Sequence, residues 1–388
     1  MLDRIAWILL CVFLFSVPWE KSVPVAGLGT LTRVLGALAL AAGLTAAAWN
    51  RTVRRANLVL ALAAVFVAWS AATWFWSVDR AATLARAWTF LQLLAMAALI
   101  WNLCRTQARQ RQLLEAYLGG AAVSAVATII RYSLNQQTYW RRYAAPGFEP
   151  NDLGLTLALA IPMALYLALH SPGWRVWMYR AAVVVVIAGV LLTASRTALI
   201  ATFAGFLFVA FTWRQTNLGQ KISAAVLAGL LALSLVRLAP SPSRQRLATL
   251  PAELTHGTLN KRTSIWKAGL KVFKRHPVLG IGSGAYPKAV EPYLAKVPGQ
   301  INVAHNTFLS VLVECGVTGF AFFGILLLAA AVFVWAMAGA DRALWLTMLV
   351  AWGAGVQTLT WETRKPTWVI FALIMTSWAL AFRREKPR

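Results

Sequence analysis

The chain has 388 residues, 60% of them hydrophobic, and carries 37 Lys and Arg against only 12 Asp and Glu. Apolar runs of about 18 residues recur along it, and each can cross a hydrocarbon core about 30 Å thick. This composition excludes a soluble globular protein, and a chain embedded in a membrane is a poor partner for nucleic acid despite its positive charge.

The apolar runs predict an all-α, polytopic membrane protein with about 12 transmembrane helices. In lipid, only helices and closed barrels satisfy the backbone, and these runs are too long for barrel strands. One transmembrane domain is expected over residues 1–388. The first run is expected to be a retained helix, since no convincing cleavage site of a signal peptide follows it. The predicted spans lie at 5–18, 34–49, 56–75, 87–103, 113–130, 153–170, 178–194, 197–213, 221–239, 306–338, 343–359 and 366–382.

The distribution of positive charge predicts the orientation of the chain. With 12 spans, 16 of the 37 Lys and Arg fall on the side of the two termini, which the positive-inside rule assigns to the cytoplasm. The remaining 21 fall on the other side, and 11 of them lie between about 237 and 305, within and just before a long loop predicted at 240–305. A long loop crosses a membrane regardless of its charge, so its basicity fits either anionic headgroups or a substrate rich in phosphate.

Arginines stand where several predicted spans begin on the outer side. Arg80 and Arg86 lie in the run WSVDRAATLARAW, at the start of one span. Arg142 precedes the span at 153–170, for which Asn151 or Asp152 is the expected helix cap. Several separate spans are therefore expected to present arginine at one face of the membrane.

Residues 178–213 are apolar except for Arg180 and the triplet Ser195-Arg196-Thr197. One helix of this length would be roughly 54 Å long, which is too long for a hydrocarbon core of about 30 Å. The run therefore predicts a tight hairpin with the triplet at its tip and Arg196 at the outer interface. An arginine there either extends to the headgroups or serves a function.

The run NKRTSIWKAGLKVFKRHPVLGIGSGAYP predicts a basic amphipathic helix on the outer membrane surface, followed by a glycine turn. Arg262 begins the helix, Arg275 lies at its end, and His276-Pro277 terminates it. The glycines are no dinucleotide fingerprint, because no strand precedes them. Two sets of residues recur at helical spacing on adjacent faces. The apolar set is Trp266, Leu270 and Phe273, and the basic set is Lys267, Lys271 and Lys274.

In the run AHNTFLSVLVECG, His305 and Asn306 stand at the start of a long span. Glu314 follows nine residues later, on the opposite face of a helix and roughly 13 Å deeper. We therefore expect Glu314 to be a buried carboxyl bonded to a neighbouring helix, and Glu362, beside Arg364 and Lys365, to be the acidic neighbour of the site.

These residues limit the chemistry. The few acidic residues form no Asp-x-Asp on an outer loop, which disfavours a metal site, and the three cysteines have neither disulfide nor metal-ligand spacing. Nor is there a Ser-His-Asp arrangement. Arginine suits diphosphate, and histidine can accept a proton from a hydroxyl at neutral pH. Together they suit glycosyl transfer from a lipid diphosphate to a hydroxyl, with no metal or other cofactor.

Several segments taken together resemble the O-antigen ligase and polymerase superfamily, over about residues 60–375. They are GFEPNDLG, TASRTALI, Arg262-x-x-x-Trp266, HPVLGIGSGAYP and AHNTFLSVLVECGVTGF. The resemblance implies a GT-C-like glycosyltransferase of the bacterial inner membrane, with a periplasmic active site that takes glycan from undecaprenyl diphosphate without a metal. It implies that Arg196 and Arg262 hold the diphosphate and that His305 acts as the base or positions the acceptor. Further substrate contacts are expected from Asn306, Arg80, Arg86, Arg142 and Arg275.

The predicted function is that of an inverting O-antigen ligase, which transfers glycan to a sugar hydroxyl of lipid A-core. Its expected partners are an undecaprenyl-diphosphate-linked glycan, the lipid A-core acceptor and membrane lipids. An O-antigen polymerase is the alternative within the superfamily, and the long basic loop favours the ligase because it suits two phosphate-rich lipids. A lipid-linked glycan transporter fits less well, because the charges gather at one face and no internal repeat is visible.

Overall fold

Long apolar helices make up almost all of the protein in a computed structural model, which describes residues 1–51, 53–138, 142–219, 221–222, 225–226, 229, 262–295 and 301–385. The helices are α1 (Leu2–Ser16), α2 (Leu31–Asn50), α3 (Leu58–Ala72), α4 (Arg80–Leu103), α5 (Gln107–Ser133), α6 (Pro150–Ala158), α7 (Ala160–Leu169), α8 (Trp174–Leu192), α9 (Arg196–Gly205), α10 (Leu207–Phe211), α11 (Arg262–Arg275), α12 (Tyr286–Val290), α13 (Thr307–Trp335), α14 (Gly339–Val356) and α15 (Lys365–Glu385). Between α1 and α2, strands β1 (Pro24–Val25) and β2 (Gly29–Thr30) pair antiparallel, with Pro24 opposite Thr30.

The described residues contain nine helical segments that are long and apolar enough to cross a membrane, which confirms an all-α, polytopic membrane protein. A shorter apolar helix, Arg196–Phe211, and α14 correspond to two more of the predicted spans. The predicted span at 221–239 lies almost entirely outside the described residues, and the loop predicted at 240–305 is described only from 262 to 295 and from 301 onwards.

The predicted hairpin within 178–213 is confirmed. Helix α8 ends at Leu192 and α9 begins at Arg196, after a turn in which Ala194 takes a left-handed conformation with φ of 48°. The Ser195 side chain accepts a hydrogen bond from the Ala198 N–H and caps α9. The cap places Arg196 in the first turn of α9, at the end of the bundle.

The expected cap of the span that begins near 150 is wrong. Neither Asn151 nor Asp152 caps α6; the Glu149 carboxylate does, accepting hydrogen bonds from the N–H groups of Asn151 and Asp152 at 2.8 and 3.0 Å. Pro150 suits the first helical position because it has no N–H to satisfy and its φ is already helical. The capping position therefore falls on the residue before the proline.

The long helices alternate in direction, so their ends gather at two levels. We call the end where α4, α6, α9, α13 and α15 begin the upper end, and the opposite end the lower end. Contacts between distant segments join ends of one level, such as the ion pair of Glu20 with Lys365 at the upper end. At the lower end, Asp3 and Arg109 form an ion pair at 2.6 Å. The arginine sites predicted for the outer face lie at the upper end.

Helix α13 is interrupted at Gly316, and the turn at residues 277–285 fits into the break. Gly316 has φ of 68° and ψ of −175°, which no helical residue adopts. Backbone hydrogen bonds cross between the two segments, from Gly282 N–H to the Glu314 carbonyl at 2.9 Å and from Val317 N–H to the Pro277 carbonyl at 2.8 Å. The turn thus satisfies groups that the break leaves without helical partners. We call this contact between residues 277–285 and 313–318 the interlock.

The interlock depends on two glycines. A Cβ at Gly280 would lie 2.4 Å from the Glu314 carbonyl oxygen, and one at Gly316 would lie 2.2 Å from the Val278 carbonyl oxygen. Side chains cannot give way here, because both obstructing atoms belong to the backbone. The buried carboxylate of Glu314 adds a further bond, accepting from the Gly284 N–H at 2.7 Å. Glu314 is buried, as expected, and it contacts the turn through this hydrogen bond while Arg86 of the neighbouring helix α4 interacts with it electrostatically.

Candidate functional site

His305 directly precedes the cap of α13. It is partly buried and takes a left-handed conformation with φ of 47°. Asn306 caps the helix by accepting from the Leu309 N–H at 2.9 Å, and its amide nitrogen donates to the Gln357 carbonyl at 3.1 Å. The Thr307 hydroxyl donates to the Leu359 carbonyl at 2.9 Å. The backbone around His305 is thereby fixed to the loop that joins α14 and α15.

Arg262 lies in the first turn of α11, against the segment that carries His305. One turn further along, the Trp266 indole N–H donates to the carbonyl of Ala304 at 2.8 Å. Arg262 and His305 are close enough to interact electrostatically. The other end of α11 continues into the interlock, so this helix is attached to α13 both beside His305 and at the break.

Helix α9, which carries Arg196 in its first turn, contacts the same loop from a third direction. The hydroxyls of Thr197, next to it in α9, and Thr358 are hydrogen bonded at 2.6 Å. Gln357, the residue before Thr358, accepts the hydrogen bond from Asn306. The starts of α9 and α13 therefore meet at two consecutive residues of one loop.

Arg142 is buried, and its guanidinium joins two other parts of the upper end. Its Nε donates to the Thr193 carbonyl at 2.7 Å, and its Nη2 donates to the Asn151 side-chain oxygen at 2.8 Å. Its Nη1 lies 3.8 Å from a carboxylate oxygen of Glu149. Arg142 thus connects the turn before α9 to the start of α6.

Two carboxylates, Glu149 and Asp152, act electrostatically on His305. Asp152 is held by Lys21 at 3.1 Å, by Arg364 at 2.7 Å and by the Trp361 indole N–H at 3.0 Å. Both carboxylates stand in the run GFEPNDLG, for which only helix capping was expected, so their action on His305 was not predicted.

Glu362, which we expected to be the acidic neighbour of the site, lies deeper than His305 and pairs with Arg86. It is buried, and one of its carboxylate oxygens accepts from Arg86 Nη1 at 2.9 Å and from the Ser310 hydroxyl at 3.1 Å. The reason is spatial: Ser310 lies one turn beyond His305 in α13, so Glu362 meets the helix at a deeper level and pairs with Arg86 of α4.

The pKa of the His305 imidazole lies below its ordinary value. Burial lowers it, and the positive charge of Arg262 lowers it further. Glu149 and Asp152 oppose these effects without overcoming them. The imidazole is therefore neutral at neutral pH, which is the form that can accept a proton.

The three other arginines of the predicted site lie apart from His305. Arg80 is exposed and lies over the Trp74 ring at 5.2 Å. Arg86 is engaged with Glu362 as described, and Arg275 lies roughly 20 Å along α11 from Arg262 by helical rise. The structure thus joins the starts of α9, α11 and α13 and leaves Arg80 and Arg275 at the margin. Within the ranges described, no group of three or more His, Cys, Asp and Glu is arranged to hold a metal ion.

Residues 181–324 match the family model described as O-antigen ligase. A search of curated proteins finds no match to the chain. The matched segment includes Arg196, Arg262 and His305 as well as both halves of the interlock. This confirms the resemblance inferred from the sequence and supports ligase or polymerase-type activity in general. The chain is thus a multi-pass helical membrane protein in which residues 181–324 are similar to the O-antigen ligase family.

Proposed function

We propose that the protein transfers an O-antigen polysaccharide from undecaprenyl diphosphate to a sugar hydroxyl of lipid A-core, with inversion at the anomeric carbon. The observation that carries this proposal is the meeting of three helix starts, each bearing one residue of a diphosphate and proton-transfer set: Arg196, Arg262 and His305. All three belong to the segment that matches the O-antigen ligase family.

In the proposed reaction, Arg196 and Arg262 bind the diphosphate of the donor through their planar guanidinium groups. The acceptor hydroxyl oxygen attacks the anomeric carbon as the bond from that carbon to the diphosphate oxygen breaks. The hydroxyl proton passes to His305, and undecaprenyl diphosphate leaves with its developing charge stabilised by the two arginines. The attack and the departure occur on opposite faces of the sugar, which inverts the anomeric centre.

The surroundings of His305 suit both stages of this proton transfer. Burial and Arg262 keep the imidazole neutral beforehand because they lower its pKa. Once the proton has moved, Glu149 and Asp152 stabilise the imidazolium. We propose Asn306 and Arg142 as residues that position the site, given their bonds to Gln357, Thr193 and Asn151. Contacts of Arg80, Arg86 and Arg275 with substrate would involve parts remote from the reacting carbon.

In the proposed orientation, the upper end faces the periplasm and both termini lie in the cytoplasm, across the bacterial inner membrane. The short loops at the lower end are rich in arginine, which supports this orientation. Cations lie over aromatic rings at both ends, such as Arg54 over Trp101 at 3.3 Å at the lower end and Arg80 over Trp74 at 5.2 Å at the upper end. This arrangement is typical of a membrane interface.

The test of the catalytic set uses His305→Ala and Arg196→Ala in a strain that lacks the native gene. Each variant should lose attachment of the glycan to lipopolysaccharide while the protein still inserts and accumulates. His170→Ala is the control, since this histidine lies at the lower end against Tyr166. Normal attachment with both site variants would show that these residues are not the catalytic set.

Deletion of the gene separates the ligase from a polymerase, with lipopolysaccharide examined on a gel. If the protein is a ligase, the deletion strain should lose every glycan-bearing species of lipopolysaccharide and retain long polymer on its lipid carrier. A ladder reduced to a single attached repeat would instead identify a polymerase and refute the choice of acceptor.

A further inference from the structure

Helix α11 carries a row of exposed lysines that the reaction at His305 does not use. Lys267, Lys271 and Lys274 recur at helical spacing, and all three are exposed. The opposite side of α11 is buried in the protein through Ile265, Ala268, Gly269 and Val272. We call the three lysines the basic face of α11. It spans about 10 Å along the helix, and the Lys271 Nζ lies 5.9 Å from the centroid of the Tyr293 ring.

Exposed apolar side chains adjoin the basic face. Leu270 lies between its lysines and is 46% exposed, and beyond the end of α11 Val278 and Leu279 are 60% and 45% exposed. Through the interlock these residues lie next to Val317, which is 49% exposed on α13. An apolar strip therefore runs from a membrane-crossing helix to the basic face. Such a surface suits a molecule whose acyl chains contact the strip and whose anionic groups contact the lysines.

We propose that the basic face of α11 binds the phosphate groups of the acceptor glycolipid, lipid A-core, with acyl chains against the apolar strip. This inference rests on the proposed function, because it names where the acceptor of that reaction is held. The bonds are charge-assisted contacts between ammonium and phosphate, and no covalent step is involved.

Distance from the reaction centre favours the acceptor over the donor. The donor diphosphate is attached to the reacting carbon, so it must lie within bonding distance of the site formed by Arg262, Arg196 and His305. The basic face begins about 7 Å along α11 from Arg262 and ends about 18 Å from it. Lipid A carries its phosphates on the sugars nearest the acyl chains, and core sugars separate them from the acceptor hydroxyl. A remote phosphate site is therefore what the acceptor needs.

The length of the basic face favours a glycolipid over an ordinary phospholipid. A phospholipid headgroup offers one phosphate, which a single lysine can contact. Lipid A carries phosphate at both ends of a disaccharide, so it can engage the first and the last lysine of a row about 10 Å long at once. Lys267 and Lys274 are the two ends of that row.

The test measures binding of purified lipid A-core to the full-length protein in detergent, without donor, using phosphorylated and enzymatically dephosphorylated acceptor. The variant is Lys267→Gln/Lys271→Gln/Lys274→Gln. The matched control, Arg55→Gln/Arg175→Gln/Arg214→Gln, removes the same charge from exposed residues at the lower end. Phosphatidylglycerol serves as the competitor.

Native protein and the control should bind the phosphorylated acceptor at least tenfold more tightly than the dephosphorylated one, as expected for three lysines near phosphate. The lysine variant should bind both forms equally weakly. In the transfer assay, its KM for phosphorylated acceptor should rise by a similar factor, with kcat and the KM for donor unchanged.

Three results of the binding measurement would overturn the proposal: unchanged binding by the lysine variant, an equal loss for both forms of acceptor, or equal competition by phosphatidylglycerol. A raised KM for donor alone would assign the face to the donor and would also overturn it. If native protein transfers glycan to no acceptor, the proposed function fails, whereas the binding comparison still decides the role of the basic face.

Discussion

Gly316→Ala should inactivate the protein although residue 316 touches no substrate in the proposed reaction. Holding an alanine at φ of 68° and ψ of −175° costs about 1–3 kcal/mol. Its Cβ would lie 2.2 Å from the Val278 carbonyl oxygen and 2.6 Å from the Gly280 nitrogen. Since both atoms belong to the backbone, the turn at 277–285 must move by about 1 Å to reach ordinary contact.

That movement reaches the site through α11. The turn follows α11 directly, and α11 carries Arg262, so a displaced turn changes the position of Arg262 relative to His305. A misplacement of about 1 Å in a catalytic arrangement can cost about a hundredfold in rate. We therefore expect Gly316→Ala to lose about a hundredfold in kcat, with a modest loss of thermal stability.

The assay is glycan transfer by purified protein, with thermal unfolding of the same sample. Gly324→Ala is the matched control, because it lies in the same helix and an added Cβ meets no atom within 4 Å. It should keep normal turnover and gain a little stability from better helix propensity. Normal turnover in Gly316→Ala, or equal damage in both variants, would refute the role assigned to the interlock.

The remaining predictions concern the charges around the site. Because the pKa of His305 is lowered, kcat/KM should stay constant as the pH falls to the ordinary histidine pKa of about 6.5, and should decline only at lower pH. Glu149→Gln removes a carboxylate that raises the pKa of His305, so the decline of kcat/KM at acidic pH should move to still lower pH. A move to higher pH would contradict the role of His305 as the base. Asp152→Asn should lower the free energy of unfolding by about 2–3 kcal/mol, since it leaves two cations without their carboxylate. Asp3→Asn breaks the more exposed pair with Arg109 and should cost less than about 1 kcal/mol; equal losses would show that the Asp152 pairs have no special weight.

The spans and the hairpin tip at Arg196 could be predicted because they follow from local properties of the chain. A run of apolar residues longer than the hydrocarbon core must turn, and the polar triplet marks where. The positions of Arg262 and His305 at helix starts follow in the same way from where amphipathic and apolar periodicity begin.

Local properties of the chain could not predict contacts between segments that are distant in sequence. Glu362 has cations beside it in sequence, yet it pairs with Arg86, 276 residues away. Glu149 and Asp152 influence His305 from 156 and 153 residues away, which periodicity does not reveal. The glycines near 280 predicted a turn, but the break in α13 that receives it depends on the pairing of two segments, which neither run encodes alone.

Helix α15 follows in synthesis every helix that it packs against, yet it lies in the middle of them. Its apolar segment is 78% buried, it packs against α4 and α13, and its Ser377 hydroxyl accepts from Gln110 of α5 at 2.6 Å. Until α15 is inserted, Gln110 lacks the hydrogen-bond partner that Ser377 provides. Assembly of the upper end likewise depends on α15, because Lys365 at its start pairs with Glu20, beyond the end of α1.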